Sequence, residues 1–265
     1  MINYQIIIEY LGSKYVGWQY QKNGVSIQSL VEKALSKILK SKVRINGSGR
    51  TDAGVHATEQ SANFYSEKKI LNKFQFLNSV NFFLKDTDIS IIDLKKKKKN
   101  FHARHSVKKK IYKYIIMNRE THSPIFKKRS WQIKKKLNFP QMKKGIKFFL
   151  GTHNFSAMRA SSCTAKSPIR TITKAHIIKK KNCIIFIFQS KSFLQKQVRS
   201  MVGCLKYVGE DKWKPEKIRF VINSKKRNLC APPAPPDGLY LDCLLYTSDA
   251  ADEGLGVDLG GRRII

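Results

Sequence analysis

Residues 47 to 57 read GSGRTDAGVHA. One acid, Asp52, stands among Gly47, Ser48, Gly49, Thr51, Ala53 and Gly54. Small residues let a backbone turn tightly and let a bulky ligand approach it closely. Arg50, two positions before the acid, carries a planar fork that grips a phosphate or a carboxylate. A single carboxylate beside an arginine in so open a loop suits chemistry on a flat anionic substrate. A turn in which Asp52 only caps the following element is the alternative at this point.

The flanks of this loop set the fold class. Val43 to Asn46 reads as a short strand entering it, and Glu59 to Tyr65 as the strand leaving it. Upstream, Tyr4 to Tyr10 is β-branched and apolar and ends near Gly12, which predicts a buried strand. Ile27 to Leu39 places Ile27, Leu30, Val31, Ala34, Leu35 and Ile38 at helical spacing, with Ser26 available as a cap. Downstream, Phe74 to Phe83 predicts a second helix and Ile89 to Leu94 a strand. Strand, helix, strand, strand, helix, strand is the α+β order of an antiparallel sheet with helices on one face.

After the run from Lys95 to Asn100 the pattern restarts. Ile111 to Met117 alternates like a strand, and Gln141 to Leu150 reads as a helix stopped at Gly151. Ile172 to Ile178 and Cys183 to Gln189 are strands around a Lys-Lys-Lys-Asn turn. Ser192 to Tyr207 predicts a long amphipathic helix, Pro215 to Asn223 a shorter one, and Gly238 opens a further strand. The expectation is two similar antiparallel-sheet halves, 1–100 carrying the Asp52 loop and 101–242 following it. Side by side they would leave a central cleft in which a nucleic-acid strand could lie.

The 265 residues suffice for a real core. Lys plus Arg is 52 against 18 acids, a net charge of +34, which favours polyanions through release of counterions from phosphates. The bases are overwhelmingly lysine, and Ile and Asn are also abundant, as drift toward AT-rich codons would give. The runs Lys95 to Lys99, Lys108 to Lys110 and Lys134 to Lys136 are thus either RNA contacts or solvated surface. Cys163, Cys183, Cys204, Cys230 and Cys243 are odd in number and scattered, which argues against a disulfide framework or a zinc site. Only His102 and His105 pair up among the histidines, with no third metal ligand near. The N-terminus MINYQIIIEY lacks a signal peptide's cationic start, and no apolar run approaches a membrane span. A cytoplasmic protein with no membrane or metal partner is expected.

From Cys243 the chain reads CLLYTSDAADEGLGVDLGGRRII. Removing its four acids and two bases raises the net charge from +34 to +36. The string is similar to a translated transposase-type sequencing adapter, so 243–265 is read as a non-native tail, with native residues expected beyond residue 242 and no ordered contact with the core. An acidic C-terminal extension is the alternative.

Beyond the GSGRTDAGVHA loop, ordered matches run along almost the whole chain to Asp242. They include Tyr15 to Gln19 (YVGWQ), Gln28, Phe101 to Arg104 (FHAR) and Tyr112-Lys113-Tyr114. Gly151 to Arg159, Ser167 to Ile172 (SPIRTI), Phe193, Val198-Arg199, Met201-Val202-Gly203 and Gly238 to Leu241 complete them. The chain resembles the tRNA pseudouridine synthase A family. Leu11 and Asn154 stand where that family usually has acids, Glu59 where it has glycine, and a proline is missing around Lys85.

The resemblance implies an isomerase that turns uridine into pseudouridine in the anticodon stem-loop of tRNA, at positions 38 to 40, working as a homodimer without a cofactor. The base must leave the stack and enter a pocket. Asp52 would start cleavage of the C1′–N1 bond, by addition to the base or the sugar or by taking the 2′ proton. Arg199 would keep that carboxylate charged in a partly desolvated site, and Tyr112 would stack on the flipped uracil. Arg50 would fill the vacated space or grip a phosphate, and Leu239 would close the apolar wall. Tyr114, on the same strand face as Tyr112, is the alternative tyrosine. The competing function is a catalytically decayed RNA-binding protein or RNA chaperone. A DNA-binding regulator lacks any helix-turn-helix or basic zipper here.

Overall fold

The computed structural model describes residues 1–246. Its first half contains β1 (Ile2–Tyr10), α1 (Ile27–Leu39), β2 (Asn46–Gly47), β3 (His56–Ser66), α2 (Lys73–Leu84) and β4 (Ile89–Lys97). There follow β5 (Val107–Asn118), β6 (Trp131–Ile133), α3 (Phe139–Gly145), β7 (Gly151–Asn154), β8 (Ile169–Lys180) and β9 (Cys183–Ser190). Finally come α4 (Gln197–Gly209), α5 (Lys217–Ser224) and β10 (Leu239–Tyr246).

α1 begins where its cap predicts. The Ser26 hydroxyl accepts from the Ser29 amide at 3.2 Å, and Ile27, Val31, Ala34, Leu35 and Leu39 bury one face. α2 starts in the same way, with Asn72 Oδ1 accepting from the Gln75 amide at 3.0 Å. It lies between α1 and β4, and α3 packs on α4.

The ten strands form one sheet in the order β4-β1-β3-β10-β5-β9-β8-β7, with β2 paired to β3 and β6 to β5. All pairs are antiparallel except β3–β10 and β5–β6, so the α+β class holds. The halves meet in a way that the sequence pattern did not show. β10 lies between β3 of the first half and β5 of the second: Tyr240 pairs with His56, and Leu241 pairs with both Ala57 and Tyr112. The seam is a hydrogen-bonded strand within one sheet, in place of a gap between two sheets.

The same strand revises the reading of the tail. Cys243, Leu244, Leu245 and Tyr246 continue β10 opposite Ile111, Lys110, Lys109 and Val107. The Tyr246 hydroxyl also donates to the Ala103 carbonyl at 3.1 Å. The expectation of no ordered contact from residue 243 onward therefore fails for 243–246, because the edge of β5 needs partners for its backbone groups. The rest of that segment, 247–265, lies outside the described residues.

Other boundaries moved for local reasons. β4 and β5 run through Lys95–Lys97 and Lys108–Lys110, because ladder pairing to β1, β9 and β10 outweighs lysine's weak strand preference. α4 starts at Gln197 instead of Ser192. The Lys196 backbone before it is left-handed (φ 61°), and Gln197 Oε1 accepts from the Leu194 amide at 2.8 Å, holding the preceding turn. α3 starts at Phe139, with Pro140 in its first turn, and passes into a 3₁₀ turn, Ile146–Phe149, before Gly151. Cys204 and Cys230, unremarkable in spacing, bring their thiols to 3.5 Å.

Candidate active site

The Asp52 loop is tied down at both ends. The Ser48 amide donates to Ser61 O at 2.8 Å, its hydroxyl to Gln60 Oε1 at 2.6 Å, and Gln60 Nε2 to Gly49 O at 2.8 Å. Thr51 accepts the Trp18 amide on its carbonyl at 3.1 Å and shares a hydrogen bond with the Tyr10 hydroxyl at 2.8 Å. The Val55 amide then closes the turn on Asp52 O at 3.2 Å. Gly54 makes that turn possible with φ +81°, and a Cβ there would come within 2.8 Å of Pro236. Asp52 is left partly exposed and Arg50 fully so. The loop therefore presents both side chains outward.

Arg199, on the first turn of α4 in the other half, reaches across. Its Nε donates to the Ala234 carbonyl at 2.6 Å, and Nη1 lies 3.6 Å from Asp52 Oδ2. One edge of the guanidinium is thus anchored and the other offered to the carboxylate. Its side chain is 12% exposed against 26% for Asp52, so water screens the pair only partly.

Tyr112 is buried on β5 with its ring edge-on to Phe193, centroids 5.2 Å apart. Burial, and then the neighbouring Tyr10 and Asp52, push its phenol well above the usual range. It holds its proton at neutral pH. Tyr114 is fully buried among Trp131 and Phe186 and donates to Pro235 O at 2.8 Å. It is the core tyrosine of the two. Leu239 opens β10 opposite Tyr114 and is buried.

Some participants were not read from the sequence. Ala231 to Pro236 (APPAPP) contains four prolines, which lack an N–H. Carbonyls of this segment and its neighbour accept from Arg199 (Ala234 O), Tyr114 (Pro235 O) and His56 (Asp237 O, 3.0 Å). The proline run itself was the signal: a stiff segment rich in acceptors and poor in donors suits the aiming of cationic and hydroxyl side chains. His56 takes the Gly12 amide on Nδ1 at 2.9 Å, so its proton sits on Nε2, and burial lowers its pKa from 6.5. Among the described residues no three His, Cys, Asp or Glu side chains cluster as a metal site would, and no helix is long and apolar enough to cross a membrane.

A carboxylate, a guanidinium aimed at it and a protonated phenol near the carboxylate can attack an electron-poor centre and steady the charge that moves. The sequence profile of the tRNA pseudouridine synthases matches residues 6–105 and 146–246. The chain belongs to the tRNA pseudouridine synthase family. The tRNA pseudouridine synthase A of Pelagibacter ubique (strain HTCC1062) is 55% identical over 246 residues, 93% of this chain and all of that protein. The protein of the same name from Thermoanaerobacter sp. (strain X514) is 42% identical over 248 residues, again 93% of this chain and all of that protein. The synthases are isomerases, and this chain is one by membership. Asp52 falls in the first matched stretch of the synthase profile and Arg199 and Leu239 in the second, while Tyr112 lies between the two.

Proposed function

We propose that this synthase isomerises uridine to pseudouridine in the anticodon stem-loop of tRNA, at positions 38 to 40. The approach of Arg199 Nη1 to Asp52 Oδ2 at 3.6 Å carries the reading, because it joins the two halves at the one acid of the loop. Asp52 begins cleavage of the C1′–N1 bond. Arg199 holds a positive charge 3.6 Å from that carboxylate and steadies it through the step. The base is flipped out of the stack, and Tyr112 offers it an aromatic face and a protonated hydroxyl. Leu239 contributes apolar wall beside that strand. Arg50, exposed next to Asp52, fills the space that the base leaves or grips its phosphate.

We place the RNA strand over the seam where β10 joins the halves. Lysines exposed along β4, β5 and Lys134–Lys136 favour a polyanion by counterion release. The isomerisation moves no electrons in or out and needs no cofactor. The enzyme works in the cytoplasm as a homodimer, one tRNA touching both copies. A decayed RNA-binding protein would keep the lysines and lose the acid or its partner, and this chain retains Asp52, Tyr112 and Arg199 together. Mapping pseudouridine in unmodified tRNA incubated with purified protein tests the proposal. New pseudouridine at 38 to 40 supports it, and tRNA bound but unchanged refutes it.

A further inference from the structure

Lys110 has a place in the site that neither its neighbours Lys108 and Lys109 nor its charge alone would suggest. It sits two residues before Tyr112 on β5, hence on the same face. Its Nζ donates to Ser48 O at 2.7 Å, the residue that opens the Asp52 loop. The ammonium also lies against Gly49, where an added Cβ would be 2.6 Å from Nζ. Gly49 does not adopt a positive φ, so a side chain there meets no backbone strain and acts only by pushing the flexible end of Lys110 aside. Lys108 and Lys109 are exposed, whereas Lys110 is half-buried.

No carboxylate pairs with Lys110 among the described residues. Its cross-strand partners Ser190 on β9 and Leu244 on β10 are uncharged, and Gln60, beneath the loop, is neutral. Arg104 is the charged group that acts on it, and it repels; the loop above carries Arg50 and Asp52, with Tyr10 and Tyr112 below. A desolvated cation without a counter-charge is costly to keep. Burial and Arg104 lower its pKa to about 8.

We propose that Lys110 is a positioning residue for the uridine isomerisation, its ammonium clamping the Ser48–Gly49 turn so that the loop presents Arg50 and Asp52 in reacting geometry. A charge-assisted hydrogen bond is shorter and about twice as strong as a neutral one, so the clamp loosens when the ammonium loses its proton. The inference rests on the proposed isomerase activity, and tritium release from C5-labelled uridine in tRNA by the wild-type enzyme tests that activity first. A wild type that releases none sinks the activity itself, and the variants then carry no weight.

With an active wild type, Lys110→Met lowers kcat by about tenfold, the order of one charged hydrogen bond, with KM for tRNA within about twofold. The alkaline limb of kcat/KM near pH 8 disappears in this variant. Gly49→Ala displaces the ammonium from Ser48 O and causes a similar loss of kcat. Adding Gly49→Ala to Lys110→Met then costs less than about twofold more, since the clamp is already gone. Losses that multiply, or an alkaline limb that persists in Lys110→Met, overturn the proposal. A rise in KM with kcat intact overturns it too and makes Lys110 an ordinary phosphate contact. If Lys110→Met does not fold, the Gly49→Ala profile decides alone: a lost alkaline limb supports the clamp and a retained limb refutes it.

Discussion

Arg199→Ala removes the one cation paired with the Asp52 carboxylate among the described residues, and the structure sets the size of the loss. At 3.6 Å two unit charges attract by about 1 kcal/mol in water and about 5 kcal/mol at an effective dielectric of about 20. Arg199 is 12% exposed and Asp52 26%, so the pair lies between those limits, at about 2–3 kcal/mol. A tenfold change in rate corresponds to about 1.4 kcal/mol, so the single-turnover rate falls roughly 30- to 150-fold. The assay is tritium release from C5-labelled uridine in tRNA at saturating enzyme, with Lys33→Ala, an exposed change on α1, as control. Arg199→Lys recovers little. The guanidinium uses Nε on Ala234 O and Nη1 on Asp52, and one ammonium does not reproduce that fork. A rate within about threefold of wild type for Arg199→Ala, or full activity in Arg199→Lys, would refute the argument.

Asp52→Asn keeps size and hydrogen-bonding capacity and loses the charge; turnover falls at least about 100-fold while tRNA affinity changes little, since phosphate contacts dominate binding. Near-wild-type tritium release would remove Asp52 from the chemistry. Tyr112→Ala loses roughly 1–3 kcal/mol of base stacking, whereas Tyr112→Phe keeps the stacking and turns over slowly. Equal turnover of Tyr112→Phe and wild type would confine Tyr112 to stacking. His56 binds a proton less well in the folded chain than the ordinary 6.5 implies, because burial disfavours the imidazolium. Its contribution to stability is complete above pH 6.5 and is lost as the pH falls through the lowered value. An NMR titration of its ring that shows a midpoint at or above 6.5 would contradict that sign.

The loop GSGRTDAGVHA was legible because its message is local. Small residues around one acid mean a tight, approachable turn whatever surrounds it. α1 was legible for the same reason, its apolar spacing and Ser26 cap being properties of consecutive residues. Tyr112 and Arg199 entered through their family resemblance, and the periodicity of β5 left Tyr112 and Tyr114 equivalent. Burial and the Pro235 carbonyl separate them, since Tyr114 spends its hydroxyl in the core.

By itself the sequence determined the α+β class, most of the longer elements and the small-residue loop that carries Asp52. Those follow from period and from side-chain type, which are set by neighbours along the chain. Only the tertiary structure decided how the halves join, that β10 slips between β3 and β5, and that Arg199 is held by Ala234 while it faces Asp52. It alone drew the carbonyls of Ala234, Pro235 and Asp237, with His56 and Lys110, around one loop. The reason is physical: a parallel β3–β10 pair and a carbonyl-anchored guanidinium join distant stretches, and their energy comes from burial and desolvation that no local pattern encodes.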